Sequence, residues 1–219
     1  MILEMRSMTR IAAVLVLAAS QAVSAAPVAE KDYFAINPAQ PTSDSTKIVV
    51  TEFFSYQCPH CYSFAKPFAA WSKSLPTDVK AELVAVSIGH TTWMPMAQTF
   101  YALKAMNAVP ALDDSIFTAI HRQGAQLVNE ASIAAWLGKQ GVNSDEFTKY
   151  YRSFSVQLNT KRADELSRSY RLPSVPVLTV DGKYMIRISD NGKFGEQLEV
   201  ANYLIDKARK ERAGAKPGR

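Results

Sequence analysis

The sequence predicts a mixed α/β fold in which a block of helices interrupts the chain path of a sheet. Three observations carry this. Residues 47–54 (KIVVTEFF) are a near-continuous β-branched and aromatic run that leads into Ser55, Tyr56, Gln57 and a pair of cysteines. From Trp93 to about Tyr170 almost every signal is helical. Strand character then returns in residues 176–188, folded about the turn pair Asp181 and Gly182. The order is βαβ, a helical block, then ββα.

The elements follow in turn. Residues 26–46 are polar and carry Pro27, Pro38 and Pro41, which reads as an extended segment in which residues 34–36 form a short edge strand. Residues 47–54 read as a strand buried on both faces. A helix is expected from Cys58 to about Leu75, with Phe64, Phe68 and Trp71 at helical spacing and a kink at Pro67. Residues 82–88 (ELVAVSI) alternate enough for a second strand. In the helical block, Pro95 opens a helix through Phe100, Leu103 and Met106. Asp113 or Asp114 is expected to cap the next, which ends near Gly124. Asn129 caps a third, with Ile133, Trp136 and Leu137 on one face and Gly141 as its stop. Asn143 or Ser144 caps a fourth, with Phe147, Tyr150, Tyr151 and Phe154 apolar, and a longer helix runs on to Tyr170. The aromatic stripe of Trp136, Tyr150 and Phe154 reads as core. Residues 176–180 and 183–188 form a hairpin. A helix over residues 196–210 closes the chain, with Val200, Tyr203 and Leu204 facing inward.

Composition narrows the function. With 219 residues, 47% hydrophobic and 21% charged, the chain can bury a core without staples. Its two cysteines, Cys58 and Cys61, exclude a disulfide-dense scaffold, a four-cysteine zinc site and a four-thiolate iron–sulfur cluster. Residues 1–25 read as a cleaved secretory signal, with Arg6 and Arg10 before an apolar stretch at residues 11–19 and a small-x-small cleavage pattern ending at Ala25. That apolar run is too short to span a bilayer. Of the net charge of +5, much sits in Lys207, Arg209, Lys210, Arg212, Lys216 and Arg219, which read as a solvated helix end and a basic tail. Export argues against a nucleic-acid partner and places the cysteines where disulfides persist.

The pair lies in Cys58-Pro59-His60-Cys61, at the expected start of a helix. That spacing sets both sulfurs on one face, and the free N–H groups and dipole of a helix N-terminus stabilise a thiolate, Cys58 most of all. His60 can add a hydrogen bond or positive charge. Stabilising the thiolate stabilises the reduced pair and makes the disulfide an oxidant. A purely structural disulfide closing so short a loop would contribute only about 2 kcal/mol. Zinc would need two more ligands, with only His90 and His121 left among the histidines, whereas Cu(I) could use the two thiolates alone. Covalent haem attachment is excluded by Tyr62 after the second cysteine. His90 and His121 read as surface or cap residues.

The stretch from Glu52 to Tyr62, EFFSYQCPHCY, resembles the active-site signature of the DsbA family of periplasmic thiol–disulfide oxidoreductases. The resemblance extends to Val175 and Pro176, the inserted helices and the closing helix. It implies a thioredoxin fold with an inserted all-helical domain: residues 26–91 and 160–212 as the discontinuous thioredoxin-like part, 92–159 as the insert, and 213–219 as a basic flexible tail. It implies a dithiol oxidase in which Cys58 and Cys61 are catalytic, Pro59, His60 and Glu52 tune the redox chemistry, and Val175 and Pro176 form a cis-proline loop that binds substrate backbone. It implies no cofactor and no metal, a place in the periplasm, exported proteins with free cysteines as substrates, and a quinone-linked membrane oxidase of the DsbB type as reoxidant; oligomeric state is left open, with a monomer favoured. The family often pairs the buried acid with a lysine on the neighbouring strand; here the counterpart position falls at Leu83, beside Glu82. A reductase or isomerase on the same fold, and a Cu(I)-binding chaperone, are the rival readings.

Overall fold

A computed structural model describes residues 26–188 and 193–214. The expected signal segment, and Lys216 and Arg219 of the basic tail, lie outside the described residues. In chain order the elements are β1 (Phe34–Ala35), β2 (Ile48–Phe54), α1 (Pro59–Ser72), β3 (Val79–Ala85), α2 (Met94–Ala105), α3 (Val109–His121), α4 (Glu130–Lys139), α5 (Ser144–Tyr151), α6 (Phe154–Ser169), β4 (Val177–Val180), β5 (Tyr184–Arg187) and α7 (Phe194–Gly214). The sheet order is β1-β5-β4-β2-β3, with β2 and β3 parallel and the other neighbours antiparallel. This is the thioredoxin fold with a helical insertion, because α2 to α6 leave from the end of β3 and return to β4 in the same sheet.

The burial of β2 explains its composition. All seven of its residues are buried, since it is flanked by β3 and β4 and covered on both faces. One face packs with Phe64 and Phe68 of α1 and with Leu198, Ala201 and Leu204 of α7. On the other, Phe53 meets Tyr170 at the end of α6, ring centroids 5.2 Å apart. Each large apolar side chain so buried contributes roughly 1.5–3 kcal/mol. Pro67 lies inside α1 without ending it.

Several expectations are corrected. The second strand starts three residues earlier, at Val79, because the parallel register pairs Ile48 with Val79 and Phe54 with Ala85. Side chains of α2 and α6 satisfy polar groups at its end and just past it. The Tyr101 hydroxyl donates to the Ala85 carbonyl, and the buried Asp164 carboxylate accepts from both the backbone N–H and the hydroxyl of Ser87. Neither Asp113 nor Asp114 caps a helix; α3 begins at Val109, with Pro110 in the first turn. Asn129 and Asn143 do cap α4 and α5, accepting from the backbone N–H of Ser132 and Glu146. Phe154 is not core but 80% exposed, because it opens α6 rather than closing α5. Tyr203 does not face inward but is 36% exposed, and α7 is longer than expected at both ends.

Of the basic residues of α7, Lys210 is exposed as expected, but Arg212 is not solvated. Arg212 pairs with the buried Asp181 and donates to the carbonyls of Ser45 and Lys47. Arg209 pairs with Asp78, and Lys207 with Glu211. The Arg212 contacts pin the end of α7 to the β4–β5 turn, and the Arg209 pair ties it to the segment before β3. In that turn Asp181 and Gly182 both have positive φ, and a Cβ at Gly182 would lie 1.9 Å from the carbonyl oxygen of Gln40. Only glycine fits there, so the expected turn pair also fixes the N-terminal segment against the hairpin.

Candidate active site

The cysteine turn is built by the end of β2 and the start of α1. Strand β2 stops at Phe54, and the Cys58 N–H donates to the Ser55 carbonyl at 3.1 Å, closing a turn. Cys58 is extended and serves as the N-cap of α1, while its carbonyl accepts the first helical bond from the Tyr62 N–H. Pro59 occupies the first turn, where its missing N–H costs nothing. The sulfur therefore sits above a row of helix N–H groups.

Both cysteines are free thiols and both are buried, Cys61 completely and Cys58 with 4% exposure. Their acidities are driven apart. The Cys58 thiol is held down to about 6, first by the Cys61 side chain hydrogen-bonded to its sulfur, against the opposing cost of burial; the backbone N–H groups of Cys61 and His60 and the charge of His60 add to it. His60, exposed at the second helical position, is the smallest of these contributions, so its place between the cysteines matters less than the backbone it belongs to. The Cys61 thiol is pushed well up, by burial first and then by the bond to Cys58. One sulfur is a stabilised anion and good leaving group, and the other holds its proton.

The loop before β4 reaches the same place from the far end of the chain. The Val175-Pro176 peptide is cis. The Cys58 thiol donates to the Val175 carbonyl at 3.4 Å. That bond exists only while Cys58 is protonated, so it works against ionisation and is outweighed by the donors from α1.

Glu52 lies on β2, in register between Leu83 of β3 and Leu178 of β4. The position across from it on β3 is therefore leucine in the structure as in the sequence. Its carboxyl is 2% exposed and is pushed far above the ordinary carboxylate range, by burial first and then by the charge of Asp113. It is near enough for its own charge to raise Cys61 further. Glu52 and Asp113 both line a cleft of about 600 Å³ between α1, the β2–β3 edge, α2 and α3, with Lys80 and Lys104 also along it.

Sequence reasoning missed the contribution of α3. Its residues Asp113, Phe117 and His121 fall at helical spacing on one side and all meet the cysteine segment. The Tyr56 hydroxyl donates to Asp113 at 2.6 Å. Phe117 packs against Tyr56 at 4.9 Å and Tyr62 at 6.0 Å. His121 stacks on Tyr62 and reaches the Tyr56 carbonyl. The i, i+4, i+8 spacing was the available signal. His90, by contrast, is exposed and packs on Trp93. Among the described residues no group of three or more His, Cys, Asp or Glu could hold a metal, and no helix is long and apolar enough to cross a membrane.

Comparison with known proteins agrees with this geometry. The family model described as Thioredoxin matches residues 43–199. The chain is 37% identical to the thiol:disulfide interchange protein DsbA of Azotobacter vinelandii over 169 residues, 77% of this chain and 78% of that protein. It is 35% identical to the DsbA of Pseudomonas aeruginosa over 188 residues, 86% of this chain and 87% of that protein. The crystal structure of Pseudomonas aeruginosa DsbA superposes with a TM-score of 0.80 at 34% identity, covering 87% of this chain and 97% of that one. With the same fold and a pair of unequal thiols where β2 meets α1, the chain belongs to the DsbA family of thiol:disulfide interchange proteins and is a protein disulfide oxidoreductase.

Proposed function

We propose that the protein works in the periplasm as a dithiol oxidase, passing a Cys58–Cys61 disulfide to exported proteins. A substrate thiolate attacks the Cys58 sulfur, the bond between the two enzyme sulfurs breaks, and Cys61 leaves as a thiolate that takes up a proton. A second substrate thiolate then attacks the substrate sulfur of the mixed disulfide and releases Cys58 as a thiolate. Two electrons pass from substrate to enzyme, and a quinone-linked membrane oxidase of the DsbB type takes them on. The observation that carries the direction is the set of groups converging on the Cys58 sulfur at the start of α1: the Cys61 side chain, the N–H groups of the first helical turn, and the charge of His60. They stabilise the reduced enzyme, and a stabilised reduced form makes the oxidised form a strong oxidant, an effect for which the DsbA family is itself the standing example.

The other roles follow from placement. Val175, presented by the cis peptide at Pro176, offers its carbonyl to an extended substrate strand once the Cys58 thiol no longer occupies it. The helical stretch that leaves β3 and returns to β4 supports dividing the chain into a thioredoxin-like part (26–91 and 160–212) and an insert (92–159). Residues 1–25 act as the export signal.

The test is rescue. In a strain lacking its own periplasmic oxidase, the full chain is expected to restore disulfide formation in an exported reporter, and Cys58→Ala to restore none. Failure of the parent chain, expressed and exported, would overturn the oxidase reading.

Glu52 is proposed to hold a proton for Cys61 as that sulfur leaves and returns. A carboxyl with a raised folded pKa costs stability at any pH above its unfolded value, and the cost grows until the folded pKa is passed. Glu52→Gln is therefore expected to raise unfolding free energy at pH 8 by about 1–3 kcal/mol, the usual scale of a desolvation penalty, while slowing exchange. Urea titration and stopped-flow oxidation of a dithiol peptide read the two effects. A stabilised variant with unchanged exchange rate would remove Glu52 from the proton path.

A further inference from the structure

The histidine at the end of α3 touches both ends of the cysteine turn. Its Nε2 lies 2.8 Å from the carbonyl oxygen of Tyr56, two residues before Cys58. A carbonyl only accepts, so Nε2 carries the proton and donates. The same ring lies nearly flat on Tyr62, the residue after Cys61, with centroids 5.2 Å apart and planes 13° from parallel. Phe117, one turn back on α3, backs the stack at 6.2 Å from His121. One imidazole thus ties the segment entering the turn and the segment leaving it to a helix of the insert.

Resting on the oxidase reading above, we propose that His121 is a positioning residue for disulfide exchange: by clamping Tyr56 and Tyr62 to α3 it holds the cysteine turn in the shape that stabilises the dithiol form. The physical reason lies in how that form is stabilised. The unpaired N–H groups and dipole at the start of α1 act on the Cys58 sulfur only while the turn holds it at that helix end, and such interactions weaken steeply with misalignment. In the oxidised enzyme the bond between the sulfurs fixes the turn covalently. In the reduced enzyme nothing covalent does so, and the clamp takes over that role. Loss of the clamp therefore costs the reduced form more than the oxidised one, which makes the disulfide a weaker oxidant.

The experiment equilibrates the purified protein and three variants with mixtures of reduced and oxidised glutathione, and measures the fraction reduced. His121→Ala and His121→Phe, which lose the donor, are expected to shift the midpoint about fivefold toward the disulfide form, the size of one net hydrogen bond. His121→Gln, which can still donate to the Tyr56 carbonyl, is expected to recover most of that shift and to fold where the others fail. Thiolate absorbance is expected to show the Cys58 titration moving up in the same order. A residue needed only for folding would destabilise both redox forms alike and leave the glutathione midpoint in place; coincidence of all the variants with the parent overturns the proposal. The parent's own midpoint tests the oxidase reading separately, because it is compared with glutathione itself and not with a variant.

Discussion

Cys61→Ala is expected to stall as a mixed disulfide through Cys58 when the reduced variant meets oxidised glutathione, while Cys58→Ala forms none. The two sulfurs differ in both access and acidity. Cys58 retains a sliver of surface and is held near 6, whereas Cys61 has none and is pushed well up. At neutral pH Cys58 is the thiolate, so it attacks one sulfur of the oxidised glutathione and expels the other half as glutathione thiolate. In the parent chain the Cys61 sulfur then attacks Cys58 from within the same turn and releases the second glutathione. Without Cys61 that step needs an external thiol. A tethered nucleophile has a large effective molarity, so release is expected to slow about 10³-fold or more. Intact-mass measurement under acid quench reads the glutathione adduct directly. Adducts on Cys61 in the Cys58→Ala variant, formed as fast as in the parent, would reverse the assignment of roles.

The second large effect is on stability. Reduced protein is expected to gain stability relative to the Cys58→Ser variant as pH rises from 6 to 9. The folded Cys58 pKa lies near 6 and the ordinary thiol value is 9.0. A group whose folded pKa is depressed contributes stability that is fully present above the unfolded pKa and is lost as pH falls through the folded one. Between those limits the gain is about 1.4 kcal/mol per pH unit, reaching roughly 3 kcal/mol at pH 8 and vanishing below about pH 5. Glu52 titrates with the opposite sign, since its folded pKa is raised. Taking the difference between the parent and Cys58→Ser removes most of that contribution. Urea titrations at pH 5, 7 and 8, with a strong reductant present, measure it. Parallel stability curves for the two proteins would show that the Cys58 thiolate is not stabilised by the fold.

Much of the site is local and therefore legible. A buried strand ending in a turn, proline at the first helical position and two cysteines one helical turn apart are all set by neighbours in sequence, and they place the Cys58 sulfur at a helix N-terminus without help from the rest of the chain. The hairpin is equally readable, because a turn with two successive positive φ values calls for a pair such as Asp181 and Gly182. Local signals mislead where distant partners decide. The start of β3 is fixed by its parallel register against β2 and not by its own alternation. Asp113 has a capping residue's composition, yet it sits within α3 and serves a tyrosine hydroxyl 57 positions away in sequence. Arg212 belongs to a basic run that looks solvated, yet it is bound to a buried aspartate and two backbone carbonyls.

By itself, then, the sequence determined which thiols stand at the site: two sulfurs made unequal by the helix that begins between them. Only the tertiary structure decided what surrounds those atoms. It brought the Val175 carbonyl to Cys58 from 117 positions away, set Glu52 between two leucines, and laid Phe117 and His121 of the inserted helices against the tyrosines that flank the pair. The reason is physical. Hydrogen bonds along a turn and the dipole of a helix end act over a few residues, and local sequence encodes them. Burial, register and ring packing act between segments that become neighbours only when the whole chain has folded.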